Sequence, residues 1–268
     1  MYKICNLPNE EEIKLDILRR EGAIIECPSK YKRKKNTVLV LEPHADDFVL
    51  STLAFCLNKH NVEVLNIFSK TTLKYFPWID KIKLNSLEYE NIRIKESEFV
   101  VKKVLNEEFN SMREESIRIT KKDINEVKNN ITKKMEFLLN NNDSINTILV
   151  PMGIGEHPDH IVVFDAIIDN YEKFKNYNII LYPEYPYARC KKSYISRLNK
   201  IKNKFKIKNL FVSLDNNIET IVDCISLYKS QFDDINRDQM LGIVREDCRA
   251  ISTEYNLDGL NLIYFKIL

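Results

Sequence analysis

An α/β fold with a mostly parallel sheet is what this sequence predicts, and three observations predict it. Short apolar, β-branched runs (Val38 to Leu41, Val62 to Phe68, Ile148 to Pro151) alternate with segments whose apolar residues recur at helical spacing. The stretch between the first two runs is long enough for a crossover helix, the connection that parallel strands require. Two of the runs end in clusters of His and Asp, at the carboxyl ends of strands where open parallel sheets hold their ligands.

The elements follow in chain order. Residues 1–36 form an N-terminal extension with a short helix around Glu10 to Glu21, ended near Gly22, and a short strand at Ala23 to Cys27. Val38 to Leu41 is the first strand and leads through an acidic loop into a helix over Asp47 to Lys59; Val62 to Phe68 is the second strand. Lys70 to Asp80 lacks a clean period and carries Tyr75, Phe76, Pro77 and Trp78, a loop whose aromatics either wall a pocket or pack beneath the loop itself. Ile82 to Leu105 and Asp123 to Leu139 have helical spacing, and the polar stretch Asn106 to Thr120 between them reads as a loop. Thr147 to Pro151 is a strand, Glu156 to Tyr171 a helix, and Asn178 to Leu181 a strand running into PEYPYAR. A basic helix or helix-loop over Lys191 to Lys208, a strand at Leu210 to Leu214, and helices over Ile218 to Phe232 and Met240 to Ile251 come next. The closing NLIYFKIL alternates as an edge strand does. Without repeats or low-complexity linkers, residues 37–268 read as one domain.

Composition narrows the function. The 41 basic and 39 acidic residues nearly cancel to a formal charge of +2, which gives no reason to expect a nucleic-acid partner. The basic run Lys30 to Lys35 reads as a solvated approach to the first strand. Six cysteines without ligand spacing argue for reduced thiols in a cytoplasm. The expected protein has no signal peptide or membrane span, and its oligomeric state is open.

Three of the four histidines lie in the two acidic clusters, PHADD and GEHPDH. The fourth, His60, ends a helix, where the helix dipole accounts for it. His44 and Asp47 stand three apart at a strand-to-helix junction and can turn toward one point, while Asp46 is sent elsewhere. His157 and His160, also three apart, share a helix face. Imidazoles and a carboxylate around one point make a metal site with open positions; zinc suits it, and Fe2+ or another divalent ion is an alternative. Such a site needs a second carboxylate to take a proton and a group to stabilise an oxyanion, roles open to Asp46 and to one histidine of the pair. Either cluster alone reads as a helix cap; both together, each after a buried-type strand, do not.

PHADDFVLS with GIGEHPDH resembles the paired signatures of the PIG-L/LmbE-like N-deacetylases, zinc-dependent enzymes acting on N-acetylglucosaminyl conjugates. The resemblance implies a Rossmann-like three-layer sandwich. It also implies zinc held by His44, Asp47 and His160, Asp46 as general base, and His157 stabilising the tetrahedral intermediate. Weaker echoes are Arg93-Ile-Lys-Glu96, YPEYPYA from Tyr182, and Tyr228-Lys-Ser-Gln231, so the likeness spans Thr37 to Leu268. Phe48 and Ala45 depart from the commoner pattern, which bears on the substrate more than on the metal. Arg93, Glu184, Tyr187 and Trp78 are the expected substrate contacts.

The expectation is therefore a cytoplasmic zinc-dependent de-N-acetylase with a small amino-sugar substrate. The alternatives are an amidase for another acyl group or a thiol conjugate, and a non-catalytic sugar-binding protein. A dinucleotide-binding enzyme is disfavoured, because Gly153-Ile-Gly155 lacks the third glycine at the required spacing.

Overall fold

The computed structural model describes residues 36–57, 61–70, 86–232 and 234–268. The N-terminal extension before Asn36, the basic run, His60 and the Tyr75–Trp78 loop lie outside the described residues. Among the described residues, seven strands form one sheet in the order β3-β2-β1-β4-β5-β7-β6. They are β1 (Thr37–Glu42), β2 (Asn61–Lys70), β3 (Glu108–Glu115), β4 (Ile145–Pro151), β5 (Asn178–Tyr182), β6 (Ile207–Ser213) and β7 (Asn261–Ile267). The pairs among β1 to β5 are all parallel, and β7 runs antiparallel to both β5 and β6.

Alternation along the strands builds two cores. Leu39 and Leu41 of β1 face helices Ile124–Asn141, Pro158–Ile168 and Lys191–Lys202, whereas Val38 and Val40 face the helical segments Phe48–Leu57 and Ser86–Val104 with helices Ile218–Ser226 and Arg237–Tyr255. The product is a three-layer, Rossmann-like sandwich, as expected. After β1 the chain moves outward to β2 and β3 and then returns to place β4 on the other side of β1. The sheet's topological switch point therefore lies between β1 and β4, and the loops leaving those two strands open into one crevice.

Several elements differ from the sequence reading. Asn106 to Thr120, read as a loop, contains β3, the edge strand. It reads as loop because Phe109 is its main core contact; the strand is held by the ladder to β2 and by polar pairs, Asn110 Nδ2 to Glu63 Oε1 (3.0 Å) and Ser111 Oγ to Asn66 Oδ1 (3.2 Å). NLIYFKIL is an interior strand, with Asn261, Leu262, Ile263, Tyr264 and Phe265 all buried, and β6 takes the edge instead. Its alternation is that of two differently packed faces, one against each helical layer. The final helix is also longer than expected, because Asn236 and Gln239 form a reciprocal capping box that starts it at Arg237.

Candidate active site

The turn after β1 is folded by Asp47. Its carboxylate accepts the backbone N–H of His44 (2.8 Å), while the N–H of Asp47 donates to the carbonyl of His44 (3.1 Å). This closed turn carries the His44 ring and the Asp47 carboxylate to the same side, and the helical segment from Phe48 begins immediately after it. The second cluster is fixed by helix Pro158–Ile168. His157 is its N-cap, with Nδ1 accepting the Asp159 N–H (3.3 Å), and Pro158 takes the first helical position. Asp159 and His160 follow in the first turn, both fully buried.

Three donor atoms converge at the crevice. His44 Nδ1 and His160 Nε2 are 3.1 Å apart, and Asp47 Oδ2 lies 3.8 Å from the first and 3.5 Å from the second. Ligands bonded to one tetrahedral zinc at about 2.0–2.1 Å stand about 3.3 Å from each other, so these separations fit a single ion. The far nitrogen of each histidine is held by a carboxylate. Asp159 Oδ2 accepts from His44 Nε2 (2.9 Å), and Glu184 Oε1 accepts from His160 Nδ1 (3.1 Å). Carboxylate partners of this kind turn the other nitrogen of each ring toward a metal. A looser set, with nitrogens of His44, His157 and His160 all within 4.8 Å, is available as well.

The electrostatics favour a cation. Burial works against a charged His160, but Asp47 and then Glu184 outweigh it and hold the imidazole up to about 9. His157 is pushed down to about 3 by burial and by the neighbouring His44 and His160, so it is neutral. With Nδ1 accepting the Asp159 amide, the proton of His157 sits on Nε2. Burial raises Asp46 and Asp47, opposed chiefly by Arg93 for the first and by His160 for the second.

The structure brings His44, Asp46, Asp47, His157 and His160 together and places the expected substrate contacts differently. Tyr187 lies at the site, its ring 5.5 Å from that of His160 and 6.2 Å from that of His157. Glu184 does not line the pocket: it is 0% exposed and accepts from the N–H groups of Gly153 (2.5 Å) and Ile154 (3.3 Å) as well as from His160. It anchors a ligand histidine and the loop before it, with no oxygen turned to solvent. Arg93 Nη2 donates to Asp46 Oδ1 (3.1 Å) and to Gln231 Oε1 (3.0 Å), so the guanidinium engages a site carboxylate. Trp78 lies outside the described residues. Asp159 received no role from the sequence, although its position between two histidines was a usable signal. Glu42 was missed too; it is fully buried and stitches β1 to Phe48, Asn66 and Ser97.

No sequence-family profile matches the chain, and no curated protein does either. Solved structures do match by fold. The zinc-inhibited form of a teicoplanin deacetylase superposes with a TM-score of 0.64 at 17% identity, over 87% of this chain and 98% of that one. N,N'-diacetylchitobiose deacetylase from Pyrococcus horikoshii gives 0.59 at 18%, over 95% and 91%. The 4-carboxy-2-hydroxymuconate hydratase of Pseudomonas putida KT2440 gives 0.59 at 9%, over 87% and 96%. One fold thus carries more than one chemistry, and the reaction has to be argued from the site.

Proposed function

We propose that this chain is a metal-dependent de-N-acetylase of the PIG-L/LmbE-like kind, hydrolysing the acetamide of an N-acetylglucosamine-type sugar in a conjugate or metabolite. The observation that carries the reading is the convergence of His44 Nδ1, Asp47 Oδ2 and His160 Nε2 within 3.1–3.8 Å, each imidazole backed by a carboxylate. Those three residues hold the cation, zinc or another divalent ion. When bound, it supplies Lewis acidity, polarising a carbonyl and lowering the pKa of water to about 7.

The remaining groups divide the proton work. Among the described residues Asp46 is engaged through Oδ1 alone, by Arg93, which leaves Oδ2 to take a proton from water as the water oxygen adds to the acyl carbon. His157, neutral and protonated on Nε2, donates to the oxyanion that forms. The proton on Asp46 passes to the nitrogen as the C–N bond breaks, releasing acetate and a free amine. Tyr187 is proposed to wall the sugar site.

Two of the fold neighbours are deacetylases, of teicoplanin and of diacetylchitobiose, which supports both the reaction and an amino-sugar substrate. A purely sugar-binding protein has no need of Asp46 or of a neutral His157 at this point. A cytoplasmic location is proposed with it; Cys56, Cys190, Cys224 and Cys248 are free thiols, and no helix among the described residues is long and apolar enough to cross a membrane.

The test is metal content of the purified protein together with acetate release from N-acetylglucosaminyl conjugates, with and without chelator, after reconstitution with Zn2+ or Fe2+. About one ion per chain with chelator-sensitive acetate release is expected. Failure to bind either ion would overturn the reading.

A further inference from the structure

Arg93 and Glu96 share one face of helix Ser86–Glu98, and both reach the four-residue helix Lys229–Phe232. So short a helix does not persist on its own backbone bonds. Glu96 anchors it: Oε1 accepts the Ser230 N–H (2.7 Å), and Oε2 accepts the Ser230 hydroxyl. That anchorage sets the next residue, Gln231, whose Oε1 accepts from Arg93 Nη2 (3.0 Å) and whose Nε2 donates to the Ala45 carbonyl (3.3 Å). The amide has one workable orientation, because the reverse would set its NH2 against the guanidinium and its oxygen against a carbonyl. Arg93 Nη2 carries two N–H groups, one given to Gln231 and the other to Asp46 Oδ1 (3.1 Å). Glu96, Ser230 and Gln231 are all buried, and none of them touches the converging donors of the site.

We infer that Glu96, Ser230 and Gln231 form a clamp that orients Asp46 through Arg93 and, through the Ala45 carbonyl, fixes the turn that carries Asp46. They are positioning residues: they hold the carboxylate in place and touch neither substrate nor metal. The consequence for turnover rests on the deacetylase reading, whereas the consequence for the Asp46 side chain does not. A carboxylate that must meet a water in one orientation loses rate steeply when it swings, since a displacement of about 1 Å can cost about 100-fold.

The experiment compares the metal-reconstituted full chain with Gln231→Ala, Gln231→Glu, Glu96→Ala and Glu96→Gln, reading kcat, KM and metal content, and adds crystal structures of the parent and Gln231→Ala. Gln231→Ala, Gln231→Glu and Glu96→Ala should keep their metal and hold KM within about twofold while kcat falls roughly 10- to 100-fold. Glu96→Gln still accepts the Ser230 N–H and should recover most of the rate lost in Glu96→Ala. In the Gln231→Ala crystal the Asp46 carboxylate should have left its contact with Arg93. If Glu96→Ala does not fold, the two Gln231 variants carry the comparison. An unmoved Asp46 overturns the clamp, as does an unchanged kcat in an active enzyme, which leaves the deacetylase reading standing. A displaced Asp46 in a protein whose parent releases no acetate supports the clamp and overturns that reading.

Discussion

Replacing Asp159 by Asn tests the metal centre without touching a proposed ligand. Asp159 is fully buried: Oδ2 takes the N–H of His44 Nε2 at 2.9 Å, Oδ1 takes the backbone N–H of Ile117 at 2.7 Å, and the Ser116 side chain also bonds the carboxylate. For His44 Nδ1 to bind a cation, Nε2 must carry the proton and donate it. Asparagine has one oxygen and one NH2 in the same space. Whichever way the amide turns, one N–H of the protein faces another N–H. A buried unsatisfied donor costs about 1–3 kcal/mol. Losing the carboxylate partner of a ligand histidine costs about 10- to 100-fold in metal affinity, and that is about 1.4–2.8 kcal/mol, so the two routes agree. The assay is competition for zinc against a chromophoric chelator of known affinity, run beside circular dichroism of the metal-free variant to establish that it folds. A folded Asp159→Asn that binds zinc as tightly as the parent would refute the assignment of His44 Nδ1 to the metal.

Asp46→Asn should retain its metal and lose most turnover, because an amide cannot accept the proton; metal analysis beside an acetate assay checks it, and undiminished turnover removes Asp46 as the base. Gly155→Ala meets two obstacles, a left-handed backbone (φ 75°) and a Cβ that would sit 3.0 Å from the Tyr187 ring. It should lose about 1–3 kcal/mol of stability and displace Tyr187 from His160, read by denaturant unfolding and by KM for the sugar. Glu96 gives a pH signature. Burial raises it to about 7, against bonds from Ser230 and the charge of Arg93 that lower it, so the folded state binds the proton more tightly than the unfolded chain does. Stability should therefore fall as pH rises from the unfolded carboxylate range toward 7, by on the order of 3 kcal/mol. In Glu96→Gln that slope should flatten, measured by unfolding at a series of pH values.

The sequence by itself determined the parts of this protein that depend on neighbours along the chain. The apolar runs that became β1, β2, β4 and β5 were legible because burial on both faces selects β-branched and aliphatic residues over a few consecutive positions. The proposed ligand positions were legible because His-x-x-Asp in a turn and His-x-x-His in the first turn of a helix bring side chains together over three residues. Tertiary structure decided everything that joins distant positions. A polar strand such as β3 is a strand only because β2 offers it a ladder, and the place of β7 inside the sheet depends on β6 folding back over it. Glu184 looked like a pocket residue because it follows a strand, and it became a histidine anchor because the Gly153 amide and His160, on the helix that follows, arrive from the chain after β4. Asp159 finds His44 across 115 positions, Ser230 finds Glu96 across 134, and Gln231 finds Ala45 across 186. No local period encodes such pairings, since each is made only when packing of the sheet and its two helical layers has set the crevice between β1 and β4.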